Sequence, residues 1–169
     1  MKVGGEFYFS DIYADCDLPE SVRKHEVLWG ECIAGALFWK DFVKLAKDAG
    51  FSIPRIYSSE VMDINSPELE KVVGDAKFVS TTYRLFKLPK EQEKPMNAKY
   101  KGDLLNKEKE FDFDINNKFK SGESVYVNSE LATILKTSRF SKNFELETAE
   151  KVQPETETKD LDPFEIAKK

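Results

Sequence analysis

The chain has 169 residues, with 26 Lys and Arg against 31 Asp and Glu, so its formal net charge is −5. This acidic balance argues against a nucleic-acid-binding protein, which needs a basic surface, and no apolar run reaches the ~18 residues of a membrane span. Two cysteines are too few for a disulfide scaffold, and the first residues do not resemble a secretory signal. We therefore predict a cytoplasmic protein with neither nucleic-acid nor membrane partners.

The first 88 residues alternate between extended and helical patterns. In chain order we predict a strand at 6–11, a helix from Asp17 to about Cys32, a helix at 42–49, a strand at 51–57, a helix at 67–73 and a strand at 77–88. Gly50 ends the second helix, and Pro54 places the strand after it at a sheet edge. This order predicts an α/β fold that contains only the trailing strands of a sheet.

A charged segment bounded by two prolines, PKEQEKP, is the predicted domain boundary. We accordingly divide the chain into a first unit at 1–88, a linker at 89–96, a small β-rich α+β domain at 97–147 and a polar tail at 148–169. The composition of the tail is dominated by Glu, Lys, Thr and Pro, and residues of this kind without periodicity indicate a solvated segment.

The small domain and the tail contain few regular patterns. Aromatic and acidic residues alternate through 111–115, which predicts a half-buried strand, and 125–127 predicts another. Ser129 is the predicted N-cap of a helix that continues to about Lys136. In the tail, the run Asp-Pro-Phe at 162–164 predicts the start of one helical turn.

Two cysteines are the candidate reactive residues, because the sequence contains no G-x-G-x-x-G, C-x-x-C or H-E-x-x-H motif. Cys32 lies between Gly30 and Gly35 at the end of an apolar helix. Two interpretations of it stay open: a small hydrophobic core residue, or a thiolate that binds a soft element. Cys16 lies between two aspartates that raise the pKa of its thiol, which predicts a surface thiol without a role.

Several longer stretches of the sequence resemble one known family. The stretches are GGEFYFSD at 4–11, HEVLWGEC at 25–32, GALFW at 35–39, FVS at 78–80 and YRLFK at 83–87, with shorter matches at ELE, ILK, SRF and DPF. They resemble arsenite methyltransferase, and they extend over nearly the whole chain. Of these stretches, W-G-E-C is highly specific to that family.

The resemblance implies the C-terminal part of a Rossmann-like class I methyltransferase sheet, followed by a smaller β-containing domain. Strand 6–11 is similar to the fifth strand of that sheet. Strands 51–57 and 77–88 are similar to the sixth and seventh strands, of which the last runs antiparallel to its neighbours. The chain as a whole is thus similar to the C-terminal half of such an enzyme.

The resemblance also implies methyl transfer from S-adenosylmethionine to trivalent arsenic, with arsenite or its thiol conjugates as substrate and a thiol reductant as partner. The family binds As(III) through cysteine thiolates. Cys32 falls on the arsenic-ligand cysteine of the W-G-E-C stretch, and Trp29, Gly30 and Glu31 are its expected pocket neighbours. Cys16 matches no ligand of the family.

The family's glycine-rich cofactor loop, its ribose-binding acid and its other ligand cysteines precede the part that this chain matches. No catalytic or cofactor-binding residue is therefore assigned in the chain. We expect the isolated chain to be inactive and to bind S-adenosylmethionine poorly. The alternative, from another functional class, is a non-catalytic thiol-binding or interaction protein, such as a truncated paralogue that pairs with a complete enzyme.

Overall fold

A computed structural model describes residues 1–149 and 160–168 of the protein. The first elements are β1 (Glu6–Ala14), α1 (Glu20–Arg23), α2 (Glu26–Gly30), β2 (Leu37–Phe38), α3 (Trp39–Asp48), β3 (Arg55–Met62), α4 (Pro67–Val73) and β4 (Phe78–Phe86). The later ones are β5 (Met96–Tyr100), β6 (Glu110–Asp114), β7 (Asn117–Lys120), β8 (Ser124–Val127), α5 (Ser129–Thr137), β9 (Phe144–Thr148) and α6 (Pro163–Ala167). This is the mixed α/β fold that the sequence predicts. Within the described ranges, no helix is long and apolar enough to cross a bilayer.

The first four strands form one sheet with the order β2-β1-β4-β3. Strand β4 is antiparallel to both β1 and β3, which confirms the antiparallel last strand expected from the resemblance. Strand β2 is only two residues long and pairs in parallel with Tyr13 and Ala14 at the end of β1. In the described part of the chain, the rest of this edge of β1 therefore pairs with no strand, and Phe7 and Tyr8 are about half exposed.

The prediction of a single helix from Asp17 to about Cys32 is wrong, because this stretch contains two short helices with a break at Lys24 and His25. The backbone of His25 is extended, and its Nδ1 accepts a hydrogen bond from the N–H of Leu28 at 3.4 Å. A side chain that satisfies a free N–H at the first turn favours a new helix start over continuation of the preceding helix.

The strand predicted at 51–57 is shifted towards the C-terminus and runs from Arg55 to Met62. Phe51 belongs to the C-terminal cap of α3, since its N–H donates to the carbonyl of Ala46 at 3.1 Å. Proline lacks a backbone donor, and the strand begins directly after Pro54. Strand β3 lies at the edge of its sheet, as Pro54 led us to expect.

Residues 96–148, here called the C-terminal module, contain a three-stranded sheet with the order β8-β5-β9 and a separate hairpin of β6 and β7. Helix α5 is capped by Asn128 and not by Ser129, since the Asn128 side chain accepts a hydrogen bond from the N–H of Leu131 at 3.0 Å. The division at 89–96 stays a prediction. Of the predicted polar tail, residues 150–159 lie outside the described residues, and the helical turn predicted at 162–164 is the start of α6.

Two buried arginines join the first sheet to the C-terminal module. Arg84 of β4 is 3% exposed, forms an ion pair with Glu6 of β1 at 2.6 Å and donates to a backbone carbonyl of β6. Arg55 of β3 is 5% exposed and binds the carboxylates of Asp114 at 2.9 Å and Glu130 at 2.8 Å. The contact of Arg84 with β6 and the ion pairs of Arg55 with Asp114 and Glu130 cross from the sheet to the module, so the arginines help to fix how the module packs on the sheet.

Candidate functional site

Cys32 lies at the C-terminal end of α2 in a left-handed backbone conformation, with φ of +61°. The N–H of Cys32 donates to the carbonyl of Trp29 at 3.1 Å, and the N–H of Ile33 donates to the carbonyl of Leu28 at 2.9 Å. These two bonds are the pattern of a Schellman motif, with Cys32 at the position where glycine is usual. Two backbone hydrogen bonds therefore hold the turn at Cys32, where the chain reverses its direction.

The residues on either side of Cys32 anchor this turn. Ile33 and Leu28 are both buried and belong to the same core cluster, which is the apolar contact that commonly accompanies a Schellman motif. Ala34 and Ala36 are buried in the same cluster. The turn is thus fixed to the core on its C-terminal side, while its tip points outward.

The thiol itself is exposed. The interpretation of Cys32 as a hydrophobic core residue is therefore wrong, and its interpretation as a thiolate that binds a soft element stays a prediction. A left-handed conformation costs a residue with a side chain roughly 1–2 kcal/mol compared with the right-handed one. A cysteine in place of glycine here consequently brings a thiol to the surface at some cost in stability.

The predicted neighbours of Cys32 share its exposed turn. Trp29 is 59% exposed, and its Nε1 donates to the carbonyl of Arg23 at 2.7 Å. Its ring lies close to Gly35, where an added Cβ would come within 3.5 Å of the ring edge. Gly30 and Glu31 are exposed as well. The structure brings the W-G-E-C residues together at one surface, and their role as pocket neighbours stays a prediction.

Cys32 does not belong to a multi-ligand metal site in the part of the chain that the structure describes. Across residues 1–149 and 160–168, no group of three or more His, Cys, Asp or Glu side chains is arranged to hold a metal ion. Thiolates suit soft elements, and several thiolates that converge on one ion bind more tightly than one through their high local concentration. The thiol of Cys32 alone does not form such a set among the described residues.

Cys16 follows β1 and is also exposed. Burial of the thiol is the largest cause that raises its pKa, followed by the hydrogen bond that the thiol donates to the Asp15 carboxylate and by the charges of Asp15 and Asp17. The predicted direction is confirmed, although the aspartates are not the first cause. A raised pKa keeps this thiol protonated and makes it a poorer ligand than an ordinary cysteine.

Sequence analysis missed one charged cluster, in which Glu6 binds two arginines. Arg84 contacts one oxygen of the Glu6 carboxylate at 2.6 Å, and Nε of Arg139 contacts the other at 2.6 Å. Burial lowers the pKa of Arg84, and the Glu6 carboxylate counteracts this effect. The one signal in the sequence is that Glu6, Arg84 and Arg139 each lie in a separate stretch that carries the family resemblance.

Comparisons with known proteins agree on one family. A family model described as the arsenite methyltransferase C-terminal domain matches residues 93–169. The arsenite methyltransferases of Rattus norvegicus and Homo sapiens are each 45% identical to the chain; the matches cover 99% of it but only 46% and 47% of those proteins. The crystal structure of an arsenic (III) S-adenosylmethionine methyltransferase from Chlamydomonas reinhardtii aligns with a TM-score of 0.79 and 38% identity. That match covers 89% of this chain and 52% of the algal one. The chain therefore spans about half the length of the relatives it matches.

Proposed function

The chain belongs to the arsenite methyltransferase family, and from this membership we propose that it forms the C-terminal half of an enzyme that methylates thiol-bound trivalent arsenic. Cys32 is the residue that we assign to arsenic, as one thiolate ligand of the substrate. Arsenite or a thiol conjugate of it is the proposed substrate, and a thiol reductant is the proposed partner. The algal relative is named for S-adenosylmethionine as well as arsenic, and that molecule is the cofactor of the family.

The observation that carries this proposal is the exposed, left-handed Cys32 at the end of α2. Soft thiolate ligands suit soft ions, and a ligand that is fixed to the core through Leu28 and Ile33 loses little freedom when it binds. The thiol lies on a segment that starts at the carboxyl end of β1. In open α/β sheets, ligands bind outside the carboxyl ends of the strands, which is the end where this segment lies.

The open edge of β1 supports a second part of the proposal. This part concerns how the chain joins the half of a family-length protein that it does not match. Exposed strand edges carry unpaired backbone groups and are the usual place where another strand adds to a sheet. Phe7 and Tyr8 on β1 are each about half exposed, and the ring of Phe7 stacks on that of Phe9 at 4.4 Å. We propose that this aromatic edge pairs with the remaining half of a family-length protein.

The residues described here do not fit S-adenosylmethionine. A nucleoside cofactor on an open α/β sheet is held by a glycine-rich turn that follows a strand. The turns after the two parallel strands, 15–19 after β1 and 63–66 after β3, contain no glycine. We therefore assign no residue of this chain to the cofactor and derive no step that passes through it.

The proposed function is tested in a chimera that joins this chain to the half of the Homo sapiens relative that the chain does not match. The chimera is incubated with arsenite, S-adenosylmethionine and a thiol, and methylated arsenic is measured by chromatography with mass-spectrometric detection. We expect methylation by the parent chimera and loss of product to background in Cys32→Ser. Cys16→Ser is the matched control and should retain the parent activity.

Two outcomes separate this proposal from its alternatives. A Cys32→Ser chimera that methylates arsenite at the parent rate contradicts the assignment of Cys32 as an arsenic ligand. A chimera that folds and binds S-adenosylmethionine but yields no product with Cys32 intact favours the non-catalytic thiol-binding protein. Fluorescence of Trp29, which lies one turn before Cys32, reports arsenite binding independently of methyl transfer when Trp39 is replaced by Phe.

A further inference from the structure

Two arginines share a single carboxylate at the start of β1. One oxygen of Glu6 binds Arg84, and the other binds Nε of Arg139, each at 2.6 Å. The side chains of Glu6 and Arg84 are 8% and 3% exposed, so this part of the group is buried. Throughout residues 1–149 and 160–168, no second carboxylate forms an ion pair with either arginine. Two guanidinium groups and one carboxylate leave the group with an excess of positive charge.

Arg139 is the exposed member of this group, and the fold holds its backbone in place. The residues on either side of it, Ser138 and Phe140, are both buried. An added Cβ on Gly4 would collide with the carbonyl of Thr137, the last residue of α5. The end of α5 therefore lies directly against the start of β1, and Arg139 is presented beside the open edge of that strand.

A cavity of about 540 Å³ opens at this place. It is lined by Gly4, Gly5, Glu6, Phe7, Tyr8 and Arg139. The cavity lies beside the part of the β1 edge that β2 leaves unpaired, since β2 reaches only Tyr13 and Ala14. The Arg139 side chain is 64% exposed, and within the described ranges its guanidinium donates hydrogen bonds through Nε alone. The terminal nitrogens of Arg139 are therefore available to a ligand that enters the cavity.

A strand that pairs with this edge would cover the cavity and take Arg139 out of water. Removal of a charge from water is strongly unfavourable unless the charge gains a partner. Glu6 balances only one of the two arginines, and each of its oxygens is already used. The covering segment must therefore bring a negative charge of its own. A carboxylate suits this position, because its two oxygens match the parallel donors of a guanidinium.

We infer that Arg139 binds a carboxylate of the segment that pairs with the open edge of β1. That segment comes from the half of a family-length protein that this chain does not match, so the inference rests on the proposed function for the identity of the partner. Phe7 and Tyr8 supply the apolar contacts of this interface. The ion pair at Arg139 selects the register of the added strand, since a shift by one residue would move the carboxylate to the other face of the sheet.

Carbodiimide cross-linking of the chimera tests the inference, because a carbodiimide joins an amine to a carboxylate that contacts it. The Arg139→Lys variant places an amine beside the cavity. We expect two cross-links from position 139, one to Glu6 and one to an Asp or Glu of the joined half, identified by mass spectrometry of tryptic peptides. In this chain alone we expect only the cross-link to Glu6. Lys136 and Glu93, an ion pair at 2.9 Å, are the matched control and should cross-link in both proteins.

Thermal unfolding of Arg139→Gln provides a second measurement that needs no cross-link. In this chain alone the variant should lower the midpoint by less than about 2 °C, because exposed ion pairs contribute little. In the chimera it should lower the midpoint by about 4 °C or more, because it leaves a buried carboxylate without its partner. Lys136→Gln is the control and should give equal shifts in the two proteins.

The outcomes distinguish failure of the inference from failure of the proposed function. Cross-links of the chimera confined to Glu6, or a cross-link to a second copy of the chain, overturn the inference. Equal shifts for Arg139→Gln in the chain and in the chimera overturn it as well. A chimera that forms the second cross-link but does not methylate arsenite refutes only the assignment of arsenic chemistry, and an active chimera without that cross-link refutes only the role of Arg139.

Discussion

Replacement of Cys32 by glycine should make the protein more stable while it removes the thiol. The backbone at this position has φ of +61°, a conformation that glycine adopts without steric cost. Both hydrogen bonds of the Schellman motif come from the backbone, so they persist in the variant. The apolar contact between Leu28 and Ile33 also persists, since neither side chain is changed.

The size of the effect follows from two opposing contributions. Relief of the left-handed conformation contributes about 1–2 kcal/mol. Glycine then loses more conformational freedom on folding than other residues, which costs about 0.5–1 kcal/mol. The net gain is about 0–1.5 kcal/mol, and for a chain of this length a change of about 1 kcal/mol moves the midpoint of thermal unfolding by ~2–4 °C.

Thermal and urea unfolding followed by circular dichroism measure this gain. Cys32→Ser keeps a side chain and the same backbone cost, so its midpoint should equal that of the parent. Cys16→Gly is the matched control, because Cys16 lacks a positive φ and glycine should destabilise there. A Cys32→Gly variant less stable than the parent would refute the reasoning, since the Cys32 side chain would then stabilise the fold.

The remaining predictions concern buried polar groups and the second cysteine. Glu6→Gln leaves Arg84 buried without its carboxylate, and urea unfolding should show a loss of about 3 kcal/mol or more. Tyr83→Phe removes a buried hydroxyl that has no hydrogen-bond partner among the described residues, and it should raise the free energy of unfolding by about 1 kcal/mol. Burial raises the pKa of Tyr13 and Tyr83, so folding favours their neutral forms; this stability is present below the ordinary tyrosine pKa of about 10 and is lost as the pH rises above it. A series of thermal melts between pH 8 and pH 11 should show a smaller alkaline loss in Tyr83→Phe than in the parent. Cys16→Ser should leave the thermal midpoint unchanged, and a shift of several degrees would contradict its description as an incidental surface thiol.

The elements that could be predicted from the sequence are those with strong local signals. Strand β4 is rich in β-branched and aromatic residues, and it was predicted to within two residues at each end. Helix α4 follows from the Ser66 cap, the proline after it and Gly74 at its end. Strand β3 was misplaced, because its start depends on Phe51 completing α3, which no local pattern indicates.

The conformation of the candidate site could not be predicted from local signals. Cys32 lies between two glycines, Gly30 and Gly35, and yet Cys32 itself has the positive φ. Its exposure likewise depends on Leu28 and Ile33 taking the buried positions on either side of it. The family resemblance pointed to Cys32, but only the structure separates an exposed thiol from a buried one.

The buried arginines show why the association of the sheet with the C-terminal module was also beyond local reasoning. Arg84 and Phe113, whose carbonyl accepts from it, are 29 residues apart, and Arg55 and Asp114 are 59 apart, so no local sequence window contains either pair. Buried charges are costly unless every partner is in place, and such pairs favour one packing arrangement over alternatives. Glu6 stands at the start of β1, while the segment with Cys32 leaves from the end of the same strand. A strand is a stiff connection, and the contacts that fix Glu6 therefore also help to fix the end of β1 from which Cys32 is presented.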